Sequence, residues 1–273
     1  MKLYGIDFTS APRRAKPITV AAGCLVDNRL LVEQLERLTD WSAFETFLRR
    51  PGPWLGGFDF PFGLPREAVI DLGWPSESWA AMVAHCHALG KTAFRATLDA
   101  YRQSRPFGRR YAHRATDIAA RSHSPLKLVN PPVGLMFLEG APRLLAAGVH
   151  LPGLHTGDVT RVALEAYPGL LARRLGASSY KNDTRRLQNH ARQQARCEIV
   201  TRLQQGSPFT PFRLHGTQEV LTELIRDASG DALDAVLALV QAAQAWRSGP
   251  PSFGLPATFD PLEGWIIGAE HGA

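Results

Sequence analysis

The sequence predicts an α/β protein: a mixed five-stranded sheet, an antiparallel meander followed by parallel strands, flanked by helices and interrupted by a largely helical insertion. Three observations predict it. The chain opens on MKLYGIDF, where Tyr4, Ile6 and Phe8 alternate with Leu3, Gly5 and Asp7 in the period of a strand. A second short run, WLGGFDF at 54–60, is apolar, contains glycine and stands between proline breakers, which suits a buried strand. Late in the chain, Leu233, Val236, Leu237 and Val240 repeat as on the buried face of a helix, with Ala232, Ala235 and Ala242 permitting close packing on a sheet.

The remaining elements follow in order. Ile18–Val26 and residues 29–34 read as strands joined by Asp27-Asn28, which tolerate the positive φ of a tight hairpin. Asp40-Trp41-Ser42 opens a short helix to Arg49, with Trp41, Phe44, Phe47 and Leu48 at helical spacing, and Pro51-Gly52-Pro53 ends it. Between 66 and 155, helix-forming stretches at 78–90 and 92–104 alternate with basic, proline-rich connectors such as 105–114. That segment reads as a helical insertion within a domain made of 1–65 and 156–273. Residues 160–167 form a fifth strand, with Val162 and Leu164 alternating against Ala163 and Glu165, and Pro168-Gly169 marks its exit. Residues 183–205 read as a helix whose Leu187, Ala191, Ala195, Ile199 and Leu203 make an apolar stripe, with Arg185, Arg192 and Arg196 on another face. Helices at 218–228 and 231–247 follow, and GWIIG at 264–268 is a candidate edge strand.

Composition bounds the function. The 273 residues suffice for a large core, and 31 Lys and Arg against 25 Asp and Glu leave a basic surface suited to a polyanion, nucleic acid first among them. Cys24, Cys86 and Cys197 are odd in number and form no C-x-x-C pair, which argues against a disulfide framework and a structural zinc site and fits a reducing compartment. With no leader-like segment and no apolar run long enough to cross a bilayer, the expected setting is the cytoplasm, without a membrane.

The chemistry rests on acids. Asp7 and Asp59 each end a strand, while Asp231 and Asp234, three apart, share one face at the start of a helix. Taken singly they admit plainer roles: Asp7 could cap the turn at Thr9-Ser10, and the Asp231/Asp234 pair resembles a capping box. Taken together they converge at the carboxyl edge of the sheet, where ligands of such folds bind. Carboxylates that close raise one another's pKa and need a cation. A set of oxygen ligands selects Mg²⁺ or Mn²⁺ over zinc. Two such ions, roughly 3.5–4 Å apart, can activate water and stabilise the leaving oxygen in phosphodiester cleavage.

GIDF at 5–8, FDFPFGLP at 58–65, EAYP at 165–168, Tyr180-Lys181 and DALDA at 231–235 together resemble the RNase H-like predicted nucleases grouped as domain of unknown function 429. The resemblance runs along most of the chain and is weakest in 66–154 and at the last residues. It implies an RNase H-like fold akin to Holliday-junction resolvases. In that superfamily metals are held by a first-strand aspartate, a fourth-strand acid and a terminal-helix Asp-x-x-Asp, which here fall on Asp7, Asp59, Asp231 and Asp234. The fourth-strand acid is aspartate here where the resolvases use glutamate. Glu165 lies in the family's glutamate-x-tyrosine-proline pattern, and two roles are open to it, in the site or in an ion pair with an arginine. Lys181 matches the family motif and is the best candidate to touch substrate, with Arg114 and Asp117 as a further match.

Beyond these, Arg185, Arg192 and Arg196, or Arg105, Arg109, Arg110 and Tyr111 in the insertion, are candidates for phosphate and base contacts, although a solvated helix face is the commoner meaning of such charges. His113, His123, His155, His190 and His215 show no ligand spacing. The expected function is a divalent-metal-dependent nuclease with a carboxylate cluster. The alternatives are a non-catalytic nucleic-acid-binding or scaffold protein on the same fold and an actin-like phosphotransferase. The last is disfavoured because Phe8-Thr9-Ser10-Ala11 supplies no glycine-rich phosphate loop.

Overall fold

The alternation read in the first strand is the organising feature of the molecule. In a computed structural model, which describes residues 1–177, 179–182 and 184–270 and only the backbone of Arg185, β1 (Lys2–Asp7) sits near the centre of a mixed sheet. β2 (Ile18–Val26) pairs antiparallel with it through a hairpin to β3 (Arg29–Leu38), and Asp27 in the turn takes the expected positive φ of 53°. β4 (Trp54–Asp59) lies parallel on the other side of β1 and is followed outward by β6 (Asp158–Glu165), also parallel.

These are the five expected strands, and the sheet adds two. β5 (Val149–His150) and β7 (Arg213–Gly216) extend the two edges, giving the order β5-β6-β4-β1-β2-β3-β7 among the described residues. The sheet is therefore seven-stranded rather than five-stranded. Segments of two and four residues are too short to show a period-2 pattern, so nothing local announces them. The GWIIG tail contributes only one bridge, Ile266 beside Glu165, with Ile267 N–H donating to the Glu165 carbonyl at 2.9 Å.

The two faces of the sheet are buried by different halves of the chain. Tyr4, Ile6 and Phe8 pack under α1 (Trp41–Leu48), α3 (Trp79–Ser104) and α5 (Val133–Ala147), in one cluster with Trp79, Phe94 and Phe137. Segment 66–155 thus covers the sheet itself, its α2 (Arg66–Asp71) joining the same cluster, while α4 (Ala115–Ala120) packs through Ala120 against Leu170, Trp265 and Ile266. Its two long helical stretches meet at Gly90, where the backbone is non-helical with a φ of 69° that is open to glycine at little cost.

On the other face, Leu3 packs with α6 (Pro168–Arg174), α7 (His190–Gln205), α8 (Gln218–Arg226) and α9 (Asp231–Ser248). The helix expected over 183–205 is shorter: a 3-10 turn at Arg185–Leu187 precedes α7, because Asn189 caps a fresh start by accepting from Arg192 N–H at 3.0 Å. Leu187 is exposed as a result, and the expected start at Asp183 lies outside the described residues. No described helix is long and apolar enough to cross a membrane.

Candidate metal centre

Helix α9 is buried along nearly its whole length and lies over the central strands at van der Waals limits. A Cβ on Gly5 would stand 2.0 Å from the Ala235 carbonyl oxygen, and one on Gly57 would stand 2.7 Å from that of Ala238. Two glycines, one on each of the two parallel strands, therefore let the helix backbone touch the sheet. An acid stands close in sequence to each contact: Asp7 two positions beyond Gly5, Asp59 two beyond Gly57, and Asp234 just before Ala235.

Register completes the arrangement. Asp7 and Asp59 are direct partners across β1 and β4, so their side chains leave the sheet on the same face, toward α9. One carboxylate oxygen from each of Asp7, Asp59 and Asp234 lies within 4.8 Å of the other two. Asp7 is only 7% exposed, and Asp234 is fully buried. Among the described residues Asp7 and Asp59 have no hydrogen-bond or ion-pair partner.

Asp234 differs, because the Tyr180 hydroxyl donates to its Oδ1 at 2.6 Å and the Lys181 ammonium pairs with its Oδ2. The Tyr180-Lys181 pair is held in place from two sides. Arg196 donates from Nη1 to the Tyr180 carbonyl at 2.6 Å, and the Lys181 stem lies where a Cβ of Gly230 would be, a position that also takes a φ of 81°.

The electrostatics follow from burial. Loss of water pushes the Asp7 carboxyl well above the usual range, and the charges of Asp234 and Asp231 push it further against the pull of Lys181. Burial likewise raises Asp59 to about 7, with Lys181 opposing and Asp234 and Glu165 adding to the rise. Asp234 is raised by burial despite Lys181 and Tyr180. Burial works against the Lys181 charge, yet Asp234, Tyr180, Asp7 and Asp59 outweigh it and hold the ammonium protonated well above its ordinary pKa. Negative charge is in excess at this point, and the proximity and burial of the three carboxylates are what raise their pKa values.

The fourth expected acid stands apart. Asp231 pairs with Lys16 at 2.8 Å and is outside the three-carboxylate group, because it precedes Asp234 by most of a helical turn, about 4.5 Å along the axis. Neither it nor Asp234 is a cap: Gly230 holds the N-cap position, and Asp227 accepts from Ala232 N–H at 2.8 Å instead. Lys16 lies 215 residues from its partner, so no sequence signal marks it, whereas Asp227-Ala228-Ser229-Gly230 before a helix is a readable turn.

One open role is decided and one expectation is corrected. Glu165 is committed to Arg114, at 2.6 and 2.8 Å, and to the Phe62 N–H at 2.9 Å, so it serves as the ion-pair partner and not as a member of the triad. Arg114 is 1% exposed, with its guanidinium divided among Asp117, Glu165 and the Glu263 carbonyl, and has no donor to spare for a substrate phosphate. Arg196 is buried on backbone carbonyls, and Arg105 pairs with Glu67 and Asp71. Arg109 and Arg110 stay exposed; the side chain of Arg185 lies outside the described residues.

Asp7 and Asp59 line a cleft of about 740 Å³ that also takes in Lys16, Lys181, Asp231 and Tyr167, with Asp234 buried behind them. Three carboxylates with two lysines beside them can hold a divalent ion and admit a negatively charged ligand next to it. No curated protein and no solved structure matches the chain. A family model described as a protein of unknown function, DUF429, matches residues 5–254, and the chain therefore belongs to that family.

Proposed function

We propose that the protein is a divalent-metal-dependent nuclease with an RNase H-like fold. One observation carries the reading: Asp7, 7% exposed and without a hydrogen-bond or ion-pair partner among the described residues, stands within 4.8 Å of two other carboxylates. An uncompensated buried charge is expensive, and a protein keeps one where a ligand supplies the compensation. The order β6-β4-β1-β2-β3 within the sheet, with β2 alone reversed and α9 across it, supports the fold assignment.

Asp7, Asp59 and Asp234 are the residues that would hold Mg²⁺ or Mn²⁺, a donor set of oxygens alone that fits these ions. When bound, the metal supplies a Lewis acid and an activated water at neutral pH. The protein's own groups position the rest. Tyr180 orients the Asp234 carboxylate through its hydroxyl, and Arg196 fixes the Tyr180 backbone. Lys181 and Lys16 put positive charge on the cleft wall, where a phosphodiester oxygen needs it. The test is a Mg²⁺ and Mn²⁺ cleavage panel over linear and structured DNA and RNA, with Asp7→Asn as the control. Metal-dependent cleavage lost by at least about 100-fold in Asp7→Asn supports the reading. Equal activity of variant and wild type sinks it.

A second reading is favoured by Lys181 itself. Its ammonium already neutralises part of the cluster, so a non-catalytic nucleic-acid-binding protein would need no metal there. That reading expects salt-sensitive binding unchanged by Asp7→Asn and no cleavage with either metal.

A further inference from the structure

The opposite end of the sheet carries the reverse charge. Asp7 is in register with Thr19 and through it with Arg37, whereas Arg29 opens the same strand β3 eight residues earlier, ~26 Å away along the strand. There Arg29 and Arg213 are direct partners across the parallel pair β3 and β7, and His215 follows two residues on, on the same side of its strand. Like charges placed opposite each other on neighbouring strands destabilise a sheet.

Nothing nearby relieves that repulsion. A depression of about 530 Å³ is lined by these three residues with Asn28, Ser207 and Thr210, and no carboxylate lines it. Among the described residues Arg29 and Arg213 make no ion pair, and Asp27, two residues from Arg29, forms none with it. Arg247, from the far end of α9, donates to Asn28 Oδ1 at 3.0 Å and to the Pro211 carbonyl at 3.1 Å, bringing a third guanidinium to the same corner. The floor is built: Thr210 is 2% exposed and shares a 2.9 Å hydrogen bond with the Ser207 hydroxyl.

We propose that this corner is a phosphate-binding site, separate from the carboxylate cleft. A tetrahedral dianion matches what the corner offers: guanidinium forks from two strands, an imidazole and hydroxyl donors, with no competing acid. The phosphate comes either from a small free ligand or from the backbone of a polynucleotide, and the two sources separate by experiment. The site does not depend on metal chemistry at the other rim.

The test compares wild type with the double variant Arg29→Gln/Arg213→Gln, measuring melting temperature in millimolar orthophosphate against sodium chloride of equal ionic strength. In parallel, the affinity of a single-stranded oligonucleotide is measured across salt. Orthophosphate should raise the wild-type melting temperature by roughly 3 °C, and the double variant should lose the response. Without phosphate the variant should melt no lower than wild type, because the like-charge pair is gone, so loss of response is distinguishable from loss of fold. An oligonucleotide affinity that falls about fivefold in the variant, with a salt slope shallower by about 1 to 2, identifies the backbone as the source. An orthophosphate response without that change identifies a small ligand. Asp7→Asn should keep the orthophosphate response that wild type shows, so a failed nuclease reading leaves this result standing. Equal orthophosphate responses and equal oligonucleotide affinities in variant and wild type would overturn the proposal.

Discussion

Two groups of buried acids sit side by side at one rim of the sheet, and they are built on opposite principles. In the first, Arg114 spans Asp117 and Glu165, Phe62 N–H adds a bond to Glu165, and Ser122 donates to Asp117 at 2.8 Å, so both carboxylates are hydrogen-bonded to donors. In the second, Asp7 and Asp59 face Asp234, and Lys181 and Tyr180 answer only Asp234. Both groups are dry enough for an unanswered charge to cost several kcal/mol. The first has the form of a structural clamp, tying α4 to the end of β6 and to the tail at Glu263. The second keeps its deficit, which is the feature that supports the proposed metal site.

The contrast breaks most visibly at Arg114. Arg114→Met removes the shared partner of two buried carboxylates and should cost about 3–5 kcal/mol in denaturant unfolding, with a loss of folded protein rather than of metal binding. A change under about 1 kcal/mol would mean that the clamp is not holding the fold together. The matching change in the other group should have the opposite sign. Asp7→Asn removes one of three mutually repelling charges, and the metal-free protein should gain on the order of 1–2 kcal/mol while its Mg²⁺-dependent thermal shift disappears. Destabilisation of the metal-free protein by that change would show Asp7 to be structural after all.

The smallest effect sharpens the comparison through pH. Asp59 has a folded-state pKa of about 7, raised from an ordinary 3.8 by burial first. The folded state therefore holds this proton more tightly than the unfolded chain, and the stability it adds is present below the ordinary carboxylate range and lost as pH rises through about 7. The stability difference between metal-free wild type and Asp59→Asn should thus widen in favour of the variant across that window, by on the order of 1 kcal/mol after allowance for coupling to its neighbours. Thermal melts at a series of pH values read it directly, and saturating Mg²⁺ should flatten the wild-type curve. A pH-independent difference would place Asp59 outside the charged cluster.

Much of this is legible in the residue order alone. The alternation of Tyr4, Ile6 and Phe8 against Leu3, Gly5 and Asp7 assigned β1 two faces, and those residues do divide between the two cores. The strand-end positions of Asp7 and Asp59 and the Asp234 helix face followed from the same periodicities. What failed was anything set by a distant partner. Glu165 is left with two open roles and Arg114 reads as a substrate contact, because a charged residue reads the same whether it is answered or not, and their separation of 51 residues hides the pair. Arg196 looked solvated because its acceptors are backbone carbonyls, which leave no mark in side-chain patterns. The two edge strands β5 and β7 are too short to print a period of their own.

The sequence by itself determined which residues lie on which side of each strand and helix, since alternation by two and by 3.6 is a local property of the backbone. Only the tertiary structure decided which charges meet. Two glycines bring α9 onto β1 and β4, and that approach leaves Asp7, Asp59 and Asp234 within 4.8 Å of one another while a single arginine absorbs Glu165. Electrostatic energy depends on distance and burial, which the order of residues along a chain does not contain.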